Sequence, residues 1–173
     1  LFRMRVLAYD PYLSPEEFKA KGAEPTPLDE LLAEADYVTV HTPRNEETRG
    51  MFGTREFSLM KESAYFVITA RGGIVEEAAL ADALKSGGIA AAGIDVFAVE
   101  PPPLDDPLVQ LDNVILTPHT AGVTEDARMN CARGAASQWL SLADGQRPER
   151  IVNPDAWPKF CERYAEIVGK PMA

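Results

Sequence analysis

Only two histidines occur in this 173-residue sequence, and one of them, His119, stands at an unusual place. In the stretch "NVILTPHTAG" (113–122) an apolar run, Val114-Ile115-Leu116, leads through Thr117-Pro118 into the histidine. A histidine exchanges a proton near neutral pH, and it needs a partner to fix its tautomer. The candidate partner is Glu100, which opens the stiff Pro101-Pro102-Pro103 loop. Arg71 stands before Gly72-Gly73 and offers a planar fork matched to a carboxylate. Proton carrier, acidic partner and carboxylate-binding cation make chemical sense as a set.

Their positions follow from the elements between them. Short apolar runs predict strands at 4–10, 36–43, 64–73, 89–97 and 113–117. Between them lie helices at 14–22, 26–35, 54–61 and 76–88, followed by a long helix over 124–143 and an amphipathic one in the tail. The segment "TPLDELLAEA" (26–35) has Thr26 as cap, Pro27 at the first helical position and Asp29 three residues after the cap. Glu125 and Asp126 fall in the first turn of the long helix, where its dipole favours acids. Strands without polar alternation, separated by helices, predict an α/β fold with a parallel sheet covered on both faces.

In open parallel sheets, ligands bind beyond the carboxyl ends of the strands. The first polar residues there are Asp10, His41, Arg71, Asp95 and His119, all on one edge. Singly, each has an ordinary explanation. Asp10 before Pro11 suits a turn, Arg71 suits a solvated loop, Asp95 suits a cap, and Glu100 suits an exposed acid. Five together are harder to dismiss. An acid at the end of the second strand is also the usual acceptor for the ribose hydroxyls of NAD.

Composition narrows the function classes. The chain is 46% hydrophobic and 25% charged, as globular proteins are. A net charge of −10 argues against nucleic-acid or anionic-membrane partners. No apolar stretch approaches the ~20 residues of a membrane span, and the start shows no signal-peptide pattern. Cys131 and Cys161 lie far apart without a CxxC or Cys/His cluster, which fits reduced cytoplasmic thiols and no metal site.

The segments "VLAYDPYLS", "YVTVHTPRNEETRGMF", "ITARGGIVEEAAL", "AAGIDVFAVEPPPLDDPL" and "NVILTPHTAGVTEDA" together resemble the NAD-dependent D-2-hydroxyacid dehydrogenases, in order and spacing, over nearly the whole chain. The resemblance implies a Rossmann-like doubly wound sheet, an NAD cofactor, and hydride transfer between a 2-oxo acid and a D-2-hydroxy acid. Arg71 would bind the carboxylate and carbonyl side of the substrate, His119 would be the acid/base, and Glu100 would orient it and stabilise its protonated form. Asp10 would take the adenosine ribose and disfavour a 2′-phosphate. Thr42, Pro43, Thr48, Thr69 and Ala70 would line the cofactor groove, bordered also by Arg71 and His119. Asp95 would meet the nicotinamide amide, and Ala121-Gly122 would let backbone approach the ring. Family members usually dimerise through the cofactor domain, so the resemblance implies a homodimer of the full-length protein.

Three departures stand out. Ile68 replaces the family's usual Asn, Arg44 replaces a common Leu, and no GxGxxG occurs anywhere in the chain. In the family the glycine loop and its strand come before the segment where this sequence begins, and Leu1-Phe2 resembles the last turn of the helix that follows them. In the order 3-2-1-4-5-6 the central strand is then missing, so the strands at 4–10 and 36–40 have no common neighbour. Without the glycine amides and helix N-terminus the pyrophosphate lacks its cradle. The expectation is therefore a piece of a longer enzyme, with residues 1–152 a partial dinucleotide-binding domain and 153–173 crossing toward a substrate domain. Alone, these residues are expected to bind NAD weakly and turn over little.

Two other functions are open. Transcriptional corepressors related to this family sense NAD without catalysis and keep the arginine, glutamate and histidine. Formate dehydrogenases resemble the pattern except for an amide where Glu100 stands.

Overall fold

Four parallel strands in register bring the predicted chemistry to one edge. In a computed structural model, residues 3–172 are described; the helix end expected at Leu1-Phe2 lies outside them. Strands β3 (Tyr37–Val40), β4 (Tyr65–Ile68), β5 (Ala91–Ile94) and β6 (Val114–Leu116) form one sheet in the order β3-β4-β5-β6. Val40, Ile68, Ile94 and Leu116 are aligned across it, so the residues that follow them emerge side by side.

The first strand is shorter than the expected 4–10. Here β1 is Leu7–Ala8, and it pairs in parallel with a second short strand, β2 (Glu24–Pro25), that sequence periodicity did not reveal. Among the described residues nothing hydrogen-bonds β1 to β3, and the two sheets are separate. That gap falls where the strand order 3-2-1-4-5-6 expects a central strand.

Helices α1 (Pro15–Ala20), α2 (Leu28–Glu34), α3 (Thr54–Leu59) and α4 (Glu77–Ser86) connect the strands. Ser14 and Glu17 close a capping box on α1, and Gly87 in the left-handed region ends α4. The expected cap of α2 is corrected. Thr26 N–H bonds to Ala8 O at 2.9 Å and its hydroxyl to Glu24 O at 3.1 Å, so Thr26 belongs to the exit of β2. Pro27 occupies the cap position instead, with no side-chain hydrogen bond.

Leu32, Phe57, Leu80 and Leu84 pack against Val38, Val40, Phe66, Ile68, Ala92 and Ile94, placing α2, α3 and α4 on one face of the sheet. Phe52, Phe57 and Phe66 meet with ring centroids 5.2–6.2 Å apart. Burying each such ring contributes about 1.5–3 kcal/mol. The opposite face carries Tyr37, Thr39, Tyr65 and Ile115, all exposed, with Tyr37 and Tyr65 stacked at 5.2 Å. The parallel sheet with its flanking helices agrees with the expected α/β, Rossmann-like class; among the described residues of this unit, the helices packed on the four-stranded sheet lie on one face. The strands lack polar alternation because their open face is itself largely apolar.

The chain divides into two compact units, Leu1–Ala121 and Gly122–Ala173. The second holds α5 (Glu125–Ala143), capped by the Thr124 hydroxyl, and α6 (Trp157–Val168). Trp157 stacks on Phe160, and the Arg147 guanidinium lies 5.8 Å from the Trp157 ring centre. Among the described residues no helix is long and apolar enough to cross a membrane.

Candidate active site

His119 follows β6 by three residues and Glu100 sits on the loop after β5, so the sheet register sets their approach. His119 Nδ1 lies 2.9 Å from Glu100 Oε2, and Glu100 Oε1 accepts the Phe97 N–H at 3.0 Å. The carboxylate is thereby held from both sides. Its pKa is lowered from the ordinary glutamate value, first by the bond to His119 and then by the Phe97 amide. With Nδ1 engaged, Nε2 is the ring nitrogen left for a substrate. His119 has φ of 53°, a left-handed conformation in which a non-glycine residue is strained by about 1–2 kcal/mol.

Asp95, at the end of β5, holds that conformation. Its carbonyl accepts the His119 N–H at 2.9 Å, while its carboxylate takes the Thr117 hydroxyl, Thr120 N–H (2.8 Å) and Ala121 N–H (3.0 Å). The side chain is buried. Burial raises its pKa, but the hydrogen bonds from Thr117, Ala121 and Thr120 outweigh it and the net shift is downward.

Arg71 is exposed beyond β4. Its Nη1 donates to Ala70 O at 2.6 Å, and among the described residues no acid pairs with it. Gly72 behind it has no room for a side chain, because an added Cβ would stand 1.8 Å from Phe97 O. Thr69 and Ala70, half-buried, complete this strand end.

After β3, the Thr42 hydroxyl is buried without a hydrogen-bond partner among the described residues. Pro43 and Thr48 brace the next turn, the Thr48 hydroxyl donating to Pro43 O at 2.6 Å and accepting from Asn45 N at 2.9 Å. His41 bonds to Thr39 at 2.8 Å. Asp10, past β1, accepts the Tyr12 N–H at 2.9 Å through one oxygen. Tyr12 in turn donates its hydroxyl to Glu47, which ties the Asp10 turn to the loop after β3. Gly122 opens the second unit, and a Cβ there would meet nothing within 4 Å.

The unit Leu1–Ala121 therefore unites Arg71, Asp95, Glu100 and His119, with Thr42, Thr69 and Ala70 on adjoining strand ends. Two residues escaped sequence reading. Arg44 donates to Gly72 O at 3.3 Å, and Glu77 accepts the Ala98 N–H at 2.6 Å. Arg44 was visible only as a departure from a family pattern, and nothing local marks Glu77 among the acids of α4.

Residues 1–121 match the family model described as D-isomer specific 2-hydroxyacid dehydrogenase, NAD binding domain. The sequence is 45% identical over 174 residues to D-3-phosphoglycerate dehydrogenase of Archaeoglobus fulgidus, covering 96% of this chain and 33% of that protein. It is 42% identical over 154 residues to glyoxylate reductase of Korarchaeum cryptofilum, covering 89% of this chain and 46% of that one. The structure resembles the NAD-complexed D-isomer specific 2-hydroxyacid dehydrogenase of Lactobacillus delbrueckii ssp. bulgaricus, with a TM-score of 0.78, 36% identity and coverage of 86% of this chain and 49% of that one. The chain thus spans a third to a half of the length of these relatives. Motif order, sheet register and family match agree: the chain belongs to the D-isomer specific 2-hydroxyacid dehydrogenase family, in its NAD-binding domain.

Proposed function

We propose that this chain supplies the cofactor-binding and acid/base residues of an enzyme that interconverts a 2-oxo acid and a D-2-hydroxy acid. The observation that carries this reading is the His119–Glu100 pair at 2.9 Å, on the same sheet edge as an Arg71 that has no acid partner among the described residues. In reduction, protonated His119 gives its Nε2 proton to the carbonyl oxygen. In oxidation, neutral Nε2 takes the hydroxyl proton. Glu100 fixes the tautomer throughout and favours the imidazolium. Arg71 holds the substrate carboxylate with its planar fork.

The residues present fit the ribose and nicotinamide parts of a dinucleotide. Asp10 keeps one carboxylate oxygen free for a ribose hydroxyl, and the orphaned Thr42 hydroxyl is left for a polar group. Asp95 keeps lone-pair capacity for the nicotinamide amide beyond its bonds to the loop. The nicotinamide cofactor would supply the hydride as NADH in reduction of the 2-oxo acid and accept it as NAD+ in oxidation of the 2-hydroxy acid. Pro43, Thr48, Thr69, Ala70 and Ala121 border that groove in this reading.

The same reading makes the intact protein a cytoplasmic homodimer, supported by unpaired Cys131 and Cys161 and by the family likeness. Sedimentation of the intact protein checks its size. The function is tested by following NADH oxidation by the intact protein with glyoxylate, hydroxypyruvate or pyruvate. Turnover of at least one is expected, and NADH binding without oxidation of any 2-oxo acid overturns it.

A further inference from the structure

Among the described residues Glu77 hydrogen-bonds to none of the site residues, yet it is tied to the segment that leads to Glu100. It begins α4, half-buried, but its carboxylate does not cap that helix. It accepts instead the Ala98 N–H, 21 residues further on, at 2.6 Å. The neighbouring N–H, from Phe97, goes to Glu100 Oε1 at 3.0 Å. Two successive amides thus each bind a carboxylate, one rooted in a helix and the other holding His119.

The same backbone is also approached closely by the loop after β4. A Cβ on Gly72 would stand 1.8 Å from Phe97 O and 2.5 Å from Ala98 N, so the Arg71 loop lies directly against this peptide. Glu77 and Arg71 also line one small pocket, together with Gly72 and Leu108. Burial, and the nearby Asp106, push the Glu77 pKa upward against the Ala98 bond. A half-buried acid beside another acid is a costly way to hold a helix start, where an ordinary serine or threonine would serve.

We propose that Glu77 is a positioning residue: by fixing the peptide between Phe97 and Ala98, it sets where Glu100, and through it His119, stands relative to Arg71. The inference rests on the reading of Glu100 and His119 as the acid/base pair. Its test does not depend on turnover.

The test is a carbon-detected NMR titration of the Glu100 carboxyl, with amide exchange at Phe97 and Ala98, in the intact protein and two variants. Glu77→Gln removes the charge but keeps an oxygen for Ala98 N–H. Glu77→Ala removes both. The charged groups near Glu100 are His119 and Asp95, and those near Glu77 are Asp106 and, lining the same small pocket, Arg71; all are retained.

Glu77→Gln is expected to leave the Glu100 midpoint low and both amides protected. Glu77→Ala is expected to move that midpoint up toward the ordinary carboxylate value and to expose both amides. Should Glu77→Ala fail to fold by circular dichroism, Glu77→Asp, one methylene shorter, is expected to show the same rise. An unchanged Glu100 midpoint in the folded shortened variant, or an equal rise in Glu77→Gln, overturns the proposal. Absence of 2-oxo acid turnover would instead overturn the acid/base reading and leave the titration result standing.

Discussion

His119 Nδ1 lies 2.9 Å from Glu100 Oε2, and the opposite oxygen of the same carboxylate is held by the Phe97 amide. The pair is therefore a fixed one, with Nε2 as its working atom. Glu100→Gln keeps an acceptor for Nδ1–H but removes the charge that favours the imidazolium. A charge-assisted bond exceeds a neutral one by about 1–1.5 kcal/mol, so kcat for 2-oxo acid reduction is expected to fall roughly 10-fold. His119→Ala removes the proton carrier itself and is expected to cost roughly 100- to 10,000-fold. Steady-state NADH oxidation checks both, and equal losses from the two would contradict the assigned roles.

Arg71 faces the edge with no acid to neutralise it among the described residues, its one bond being to the adjacent Ala70 carbonyl. Its fork matches a carboxylate in two parallel bonds, which a lysine does not reproduce. Loss of one charge-assisted bond of about 1.5–3 kcal/mol makes a roughly 10- to 100-fold rise in KM the expected result for Arg71→Lys. NADH affinity is expected to move far less, and fluorescence titration separates the two.

Much of this site was legible in the sequence because its parts are named by residue type at strand ends. His119 behind Pro118, Arg71 before two glycines and Glu100 before three prolines each break a local pattern. What was hidden depends on distant partners. The acid at 95 was legible as a position, but its clamp on the 120–121 amides, 25 and 26 residues on, was not. Thr26 reads as a helix cap until β2, too short for periodicity, claims its amide. The exposure of one sheet face was hidden for a related reason: Tyr37, Tyr65 and Ile115 have the composition of buried residues, and only the placement of the described helices shows that they are exposed.

The backbone contact at Gly72 makes a sharp prediction about packing. Gly72→Ala puts a methyl 1.8 Å from the Phe97 carbonyl oxygen and 2.5 Å from Ala98 N, which no side-chain rotation relieves. The backbone has to shift, at the upper end of the about 1–3 kcal/mol usual for overpacking. Urea denaturation is expected to show that loss. By contrast, Gly87→Ala, where the added Cβ would meet nothing beyond its chain neighbours within 4 Å, is limited to the smaller strain of its left-handed φ of 75°. A smaller loss at Gly72 than at Gly87 would mean that the two loops are not in contact.

Asp95 links stability to pH through the loop it holds. Its folded pKa is lowered: burial opposes the charge, but bonds from Thr117, Ala121 and Thr120 prevail. A carboxylate whose pKa is depressed on folding stabilises the protein fully above its unfolded value, about 3.9. That contribution is lost as pH falls through the lower folded value. Asp95→Asn keeps one oxygen, but its amide group turns a donor toward an N–H that needs an acceptor. The variant is expected to lose about 1–3 kcal/mol at pH 7, with the difference from wild type shrinking below pH ~4. Denaturation midpoints at several pH values check this, and a difference that stayed constant through the acid range would rule out the ionised Asp95 as the clamp on the loop bearing His119.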